Sequence, residues 1–103
     1  MASLKRRVVI TGAGVVTPVG NDLKSTWESL LAGRSGGADI TRFDTTDFKV
    51  KFACETKGFD PALYMDRKEM KRSDLYTQFA MAASVQAMTD AGLAAGGFDP
   101  LRM

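Results

Sequence analysis

Apolar residues follow three rhythms along this chain, and each rhythm predicts an element. Residues 6–11 hold a continuous run, Val8, Val9 and Ile10. An uninterrupted run suits a strand covered on both faces, as in a parallel sheet. From residue 23 the spacing changes, and Leu23, Trp27, Leu30 and Leu31 fall on one face of a helix. Asn21 and Asp22 stand where an N-cap belongs and Gly33 where a C′ glycine belongs, so a helix is predicted over residues 23–32. Phe48, Val50, Phe52 and Cys54 then alternate with Lys49 and Lys51, the pattern of a half-buried strand.

The segment between these elements, "RSGGADITRFDTTDF", reads as irregular. Pro61 opens a loop or short helical turn. Asp66 followed by Glu69 has the spacing of a capping box for a short basic helix. A second long helix begins at Ser73 or Asp74, runs to Ala91 and ends at Gly92. Its stripe of Leu75, Phe79, Ala82, Ala83 and Ala87 is rich in small residues, which predicts close packing against other backbone. The tail "AAGGFDPLRM" reads as loop. A lone strand of parallel type has no partner in this order, because one βα unit cannot build a parallel sheet. The expected architecture is therefore the opening part of a larger α/β domain, with residues 1–103 forming one segment and no complete domain.

Charge and composition narrow the chemistry. With 103 residues, 45% hydrophobic and 25% charged, the chain is ordinary for a globular protein, and a net charge of +2 is too small to argue for nucleic acid. Thr11, Gly12, Gly14 and Pro18 break the first apolar run too early for a signal peptide, and no stretch has the length of a membrane span. The chain contains no histidine and a single cysteine. That excludes within it any Ser–His or Cys–His pair, imidazole metal ligation and an intramolecular disulfide.

The loop "TGAGVVTPVG" invites a nucleotide-binding reading. The dinucleotide fingerprint requires G-x-G-x-x-G, but Thr17 occupies the third glycine position counted from Gly12. Asp22 at the next helix start would repel a phosphate. A structural turn is the stronger reading. Cys54 reads as a small apolar residue of its strand rather than a nucleophile. Trp27, Tyr76 and Phe79 read as core, and Met65, Met70, Met81 and Met88 as packing residues. In "DRKEMKRSD", Lys68, Lys71 and Arg72 share one helix face beside Arg67. Most such clusters are simply solvated, yet the same face suits an acidic partner.

Four stretches taken in order carry a resemblance over nearly the whole chain: "RRVVITGAGVVTPVGND", "TWESLLAGRSG", "RFDTTDFKVKFA" and "YMDRKEMKRSDLYTQFAMAA". Together they resemble the start of bacterial β-ketoacyl-[acyl-carrier-protein] synthases, of the synthase II type. The resemblance implies an α/β fold, the N-terminal part of a thiolase-like fold, in which the glycine loop turns the chain from the first strand toward the first helix. It implies a decarboxylative Claisen condensation in fatty-acid elongation. That reaction joins an acyl group held on a cysteine to malonyl-acyl-carrier protein, with two histidines assisting. In the family those residues lie beyond residue 103, so this segment holds no catalytic residue and condenses nothing by itself. The resemblance further implies no cofactor or metal, a cytoplasmic homodimer, and docking of the acyl carrier protein on Lys68, Lys71 and Arg72. A catalytically silent homologue of the chain-length-factor type is the alternative within the family. Outside it stand a small nucleotide-binding module and a stand-alone carrier-protein-binding module.

Overall fold

The computed structural model describes residues 5–102; residues 1–4 and 103, the ends of the expected 1–103 segment, lie outside the described residues. Three helices and a two-stranded ribbon follow in chain order. Helix α1 spans Leu23–Leu31, and strands β1 (Gly37–Asp39) and β2 (Phe52–Cys54) follow it. A 3-10 turn at Pro61–Leu63 leads to α2 (Arg67–Arg72) and α3 (Leu75–Asp90), and a second 3-10 turn lies at Pro100–Arg102.

Local chemistry sets the helix ends. Asp22 accepts the Ser25 N–H at 2.8 Å while its own N–H donates to Ser25 Oγ at 3.4 Å, a reciprocal cap that starts α1. Gly33 takes φ +68° just past its end. The N–H groups of Gly33 and Arg34 then reach back to the carbonyls of Leu30 and Ser29, at 3.1 and 3.0 Å. The end of α3 repeats this arrangement: Gly92 has φ +73°, and Gly92 and Leu93 donate to Thr89 and Met88. Both predicted C′ glycines therefore do the work that their lack of a Cβ allows.

The glycine loop is packed on α3. A Cβ at Gly12 would stand 2.5 Å from the Ala87 carbonyl oxygen and 2.6 Å from the Ala91 nitrogen. At Gly14 it would overlap the Ala83 carbonyl oxygen and stand 2.7 Å from the Ala87 nitrogen. The small-residue stripe of α3 thus meets backbone, as its composition predicts. Ala82 is fully buried, and Leu75, Phe79, Ala83 and Ala87 are half-buried. Phe59 lies edge-on to Phe79, with centroids 4.9 Å apart, and stacks at 6.3 Å on Tyr64.

Several expectations are corrected. Residues 6–11 form no strand, and Val8 and Ile10 are 91% and 92% exposed, because no described residue pairs with them. The sheet that does form is antiparallel: Gly37, Ala38 and Asp39 face Cys54, Ala53 and Phe52. Strand β1 comes from the stretch read as irregular. Strand β2 is shorter than the alternation suggested, and Phe48, Val50, Phe52 and Cys54 are exposed because no layer of the described residues covers them. On α1 the burial is reversed. Leu23, Trp27, Leu30 and Leu31 are exposed, while Thr26 and Ser29 are 8% and 4% exposed.

The reversal on α1 has a specific cause. Thr17 and Gly20 close a tight turn by exchanging backbone hydrogen bonds of 2.8 and 3.3 Å, and α1 sits on that turn. Thr26 Oγ1 lies 3.1 Å from Thr17 Oγ1, and Ser29 Oγ donates to the Val19 carbonyl at 2.8 Å. The Ser29 hydroxyl thus satisfies the Val19 carbonyl, which an apolar side chain in its place would leave unpaired. The Cα radius of gyration is 18.2 Å, against about 13 Å for a compact chain of this length. The elements therefore lean on one another without closing around a common core.

Candidate functional site

The basic segment folds as expected. Asp66, in extended backbone, accepts the Glu69 N–H at 2.8 Å, and Glu69 Oε2 accepts the Asp66 N–H at 3.4 Å. This capping box turns the one acidic side chain of α2 back toward the N-terminus. Arg67, Lys68, Lys71 and Arg72 are all exposed. Lys71 and Arg72 also stand in the last turn, where the helix dipole favours positive charge. Among the described residues the ion pair is between Arg42 and Glu55, at 3.4 Å, so no carboxylate neutralises the basic face of α2. The face can attract and orient an acidic surface.

A small groove of about 260 Å³ between α2 and α3 is lined by Met65, Glu69, Arg72, Ser73, Thr77 and Met81. Met65 is buried, Met70 and Met88 are half-buried and Met81 is exposed, which fits the packing role for the first three. Tyr76 is 74% exposed and Trp27 is exposed, so neither is core here, whereas Phe79 is packed as expected. Cys54 lies exposed on the open ribbon, opposite Gly37. It is not buried, as the sequence suggested.

Two glutamines organise the segment, and the sequence reading passed over both. Gln86 Oε1 accepts the Val15 N–H at 3.1 Å, and its Nε2 donates to the Asn21 carbonyl at 2.8 Å and to the Tyr64 hydroxyl at 3.1 Å. Asp90 joins it by accepting the Ala13 N–H at 3.0 Å. Gln78 Nε2 donates to the carbonyls of Met70 and Ser73, at 3.2 and 3.3 Å. An amide side chain on a stripe of small residues was the available signal, since a polar group beside closely approaching backbone has partners within reach.

The glycine loop is unavailable to a dinucleotide. The faces of Gly12 and Gly14 that would cradle a pyrophosphate are occupied by α3 backbone. A larger open groove, about 870 Å³, lies between α1 and α3 and is lined chiefly by Leu23, Trp27, Tyr64 and Val85. It contains none of the basic residues of α2.

The family model described as the N-terminal domain of beta-ketoacyl synthase matches residues 5–101. The chain belongs to the β-ketoacyl synthase family. It is 51% identical over 89 residues to 3-oxoacyl-[acyl-carrier-protein] synthase 2 of Vibrio cholerae, and 52% identical over 89 residues to that of Coxiella burnetii. In each case the match covers 86% of this chain and 22% of the relative. The Synechocystis synthase 2 is 50% identical over 94 residues, which are 90% of this chain and 23% of that protein. Among solved structures, the ishigamide ketosynthase/chain length factor superposes with a TM-score of 0.79 at 41% identity, over 85% of this chain and 22% of that one. The β-ketoacyl synthase segment thus spans about a fifth of the length of these relatives and has the fold of their N-terminal part, as the resemblance implied. Among the described residues no helix is long and apolar enough to cross a membrane.

Proposed function

We propose that this segment is the N-terminal part of a condensing enzyme of fatty-acid elongation, an acyltransferase that joins an acyl-enzyme to malonyl-acyl-carrier protein. The observation that carries the reading is the identity of about half of all aligned residues to proteins named 3-oxoacyl-[acyl-carrier-protein] synthase 2. Without histidine, and with Cys54 on an open ribbon, the segment supplies scaffold and recognition rather than chemistry. Its recognition element is the exposed face of Lys68, Lys71 and Arg72, which docks the acidic carrier protein by complementary charge. Exposed Leu23, Trp27, Leu30 and Leu31 on α1, Phe52 on the ribbon, and Phe48 and Val50 just before it, are surfaces on which the rest of the enzyme packs. The enzyme works as a cytoplasmic homodimer.

The test is a condensation assay on the complete synthase, with acyl- and malonyl-carrier protein. Formation of a β-ketoacyl product two carbons longer supports the reading. A folded protein that forms none when assayed alone, but does so beside an active ketosynthase, would instead be of the chain-length-factor type. The likeness to the ishigamide ketosynthase/chain length factor supports that second reading.

A further inference from the structure

How α2 is held bears directly on how its charges are presented, and the inference drawn from this rests on the docking reading above. Helix α2 has only six residues, far fewer than a helix needs to persist in water by itself. Its N-terminus is closed by the Asp66 and Glu69 capping box. Its C-terminus has no such local solution. Ser73 lies in extended backbone, φ −117° and ψ 141°, and breaks the chain away before further backbone N–H groups can meet the last carbonyls of α2.

Side chains meet those carbonyls instead. Ser73 Oγ donates to the Glu69 carbonyl at 2.8 Å. Gln78, in the first turn of α3, reaches back across the bend and donates from Nε2 to both Met70 and Ser73 carbonyls. Both partners are acceptors, so only the NH2 end of the amide can serve, and its orientation is fixed. Met70 sits in sequence between Lys68 and the pair Lys71 and Arg72. The tie therefore lands within the basic helix and fixes the angle at which its face stands away from α3.

We infer that Gln78 is a positioning residue for carrier-protein recognition: it bridges the bend between α3 and α2 and holds Lys68, Lys71 and Arg72 in a ready-made arrangement. A basic helix that is already ordered avoids the entropy of ordering it at the moment of docking. Gln78 carries no charge and touches no carrier protein in this role. Its loss weakens docking without removing a single ionic contact.

The experiment uses the complete synthase with three variants, Gln78→Met, Ser73→Ala and Lys71→Glu. Each is assayed with malonyl-carrier protein and with a carrier-free malonyl thioester, malonyl-CoA. For Gln78→Met, KM for the carrier-bound substrate is expected to rise about fivefold, as for loss of one net hydrogen bond. Its kcat and its KM for malonyl-CoA stay unchanged, a split that general destabilisation would not produce. Should Gln78→Met fail to fold, Ser73→Ala removes the neighbouring tie while leaving α3 intact, and carries the same expected split. An unchanged carrier-bound KM, or equal changes with both substrates, overturns the inference. Lys71→Glu separates two kinds of failure. If it raises the carrier-bound KM while Gln78→Met and Ser73→Ala do not, only the positioning role is wrong. If it too has no effect, the docking reading falls and the positioning role with it.

Discussion

Gly14 lies directly over the Ala83 carbonyl of α3, so close that a Cβ in its place would overlap that oxygen. This contact explains both the glycine in the loop and the alanine stripe in the helix. Each permits the other's backbone to approach. Gly14→Ala is expected to destabilise the protein by about 3 kcal/mol, the upper end for overpacking, because the neighbour is rigid backbone. It should be read as a lowered urea midpoint with an unchanged m value. Gly33→Ala is the control. Nothing stands within 4 Å of a Cβ there, and only the φ of +68° resists it, so its cost is expected near 1 kcal/mol. Equal costs at the two positions would contradict the close-packing account.

Gln86 joins the glycine loop, the start of α1 and the segment around Tyr64 through three hydrogen bonds. Gln86→Met keeps the approximate shape but leaves the Val15 N–H and the Asn21 carbonyl without partners in a partly buried place. The expected loss is about 2–3 kcal/mol, from stranded polar groups more than from the bonds themselves. Gln86→Glu retains an acceptor for Val15 and loses both donations. Amide exchange at Val15 should therefore rise with Gln86→Met and stay slow with Gln86→Glu.

How much of this was legible in the sequence follows from which forces decided each element. Helix ends were readable because Asp22, Asp66, Gly33 and Gly92 act on neighbours a few residues away. The packing of Gly12 and Gly14 was half-readable: small residues in a helix announce close approach but do not say what approaches. Burial on α1 was not readable from its apolar stripe, because the hydroxyls of Thr26 and Ser29 seat the helix on the turn by bonding Thr17 Oγ1 and the Val19 carbonyl. Val8, Val9 and Ile10 have strand character, but a strand requires a partner, and no described residue provides one. The basic face on α2 was legible in full from its spacing. Gln78 was not, because its partners come into reach only once Ser73 has turned the chain.

The cap on α2 offers a local prediction. Asp66→Ala removes the acceptor of the Glu69 N–H, with an expected cost of about 1 kcal/mol. On a six-residue helix this loss shows first as faster hydrogen exchange at Glu69 and Met70, before global unfolding changes. Unaltered exchange at both amides would mean that α2 is held entirely from its other end.

Acid sensitivity has a definite sign. The Ser25 hydroxyl, donating to Asp22 at 2.6 Å, and then the Ser25 N–H hold the Asp22 carboxyl below its usual 3.8. The Thr41 N–H, donating at 3.0 Å, likewise lowers Glu55 from 4.5, aided by the Thr41 hydroxyl and Arg42. A lowered folded-state value means stability that is fully present above the unfolded value and is lost as pH falls through the folded one. The α1 cap and the Thr41 contact should accordingly hold above pH 4.5 and weaken on further acidification. In Asp22→Asn with Glu55→Gln, the acid limb of the stability profile should flatten over that range. A profile identical to the parent's would contradict this assignment.

The most direct test of the central claim is the affinity of the complete synthase for acyl carrier protein, measured over a series of salt concentrations, with and without Lys68→Glu and Lys71→Glu together. Docking through the face of α2 predicts an affinity that falls as salt rises, and a double variant more than about tenfold weaker at low salt with a flatter salt dependence. An affinity and a salt dependence unchanged by the two reversals would show that the carrier protein binds elsewhere.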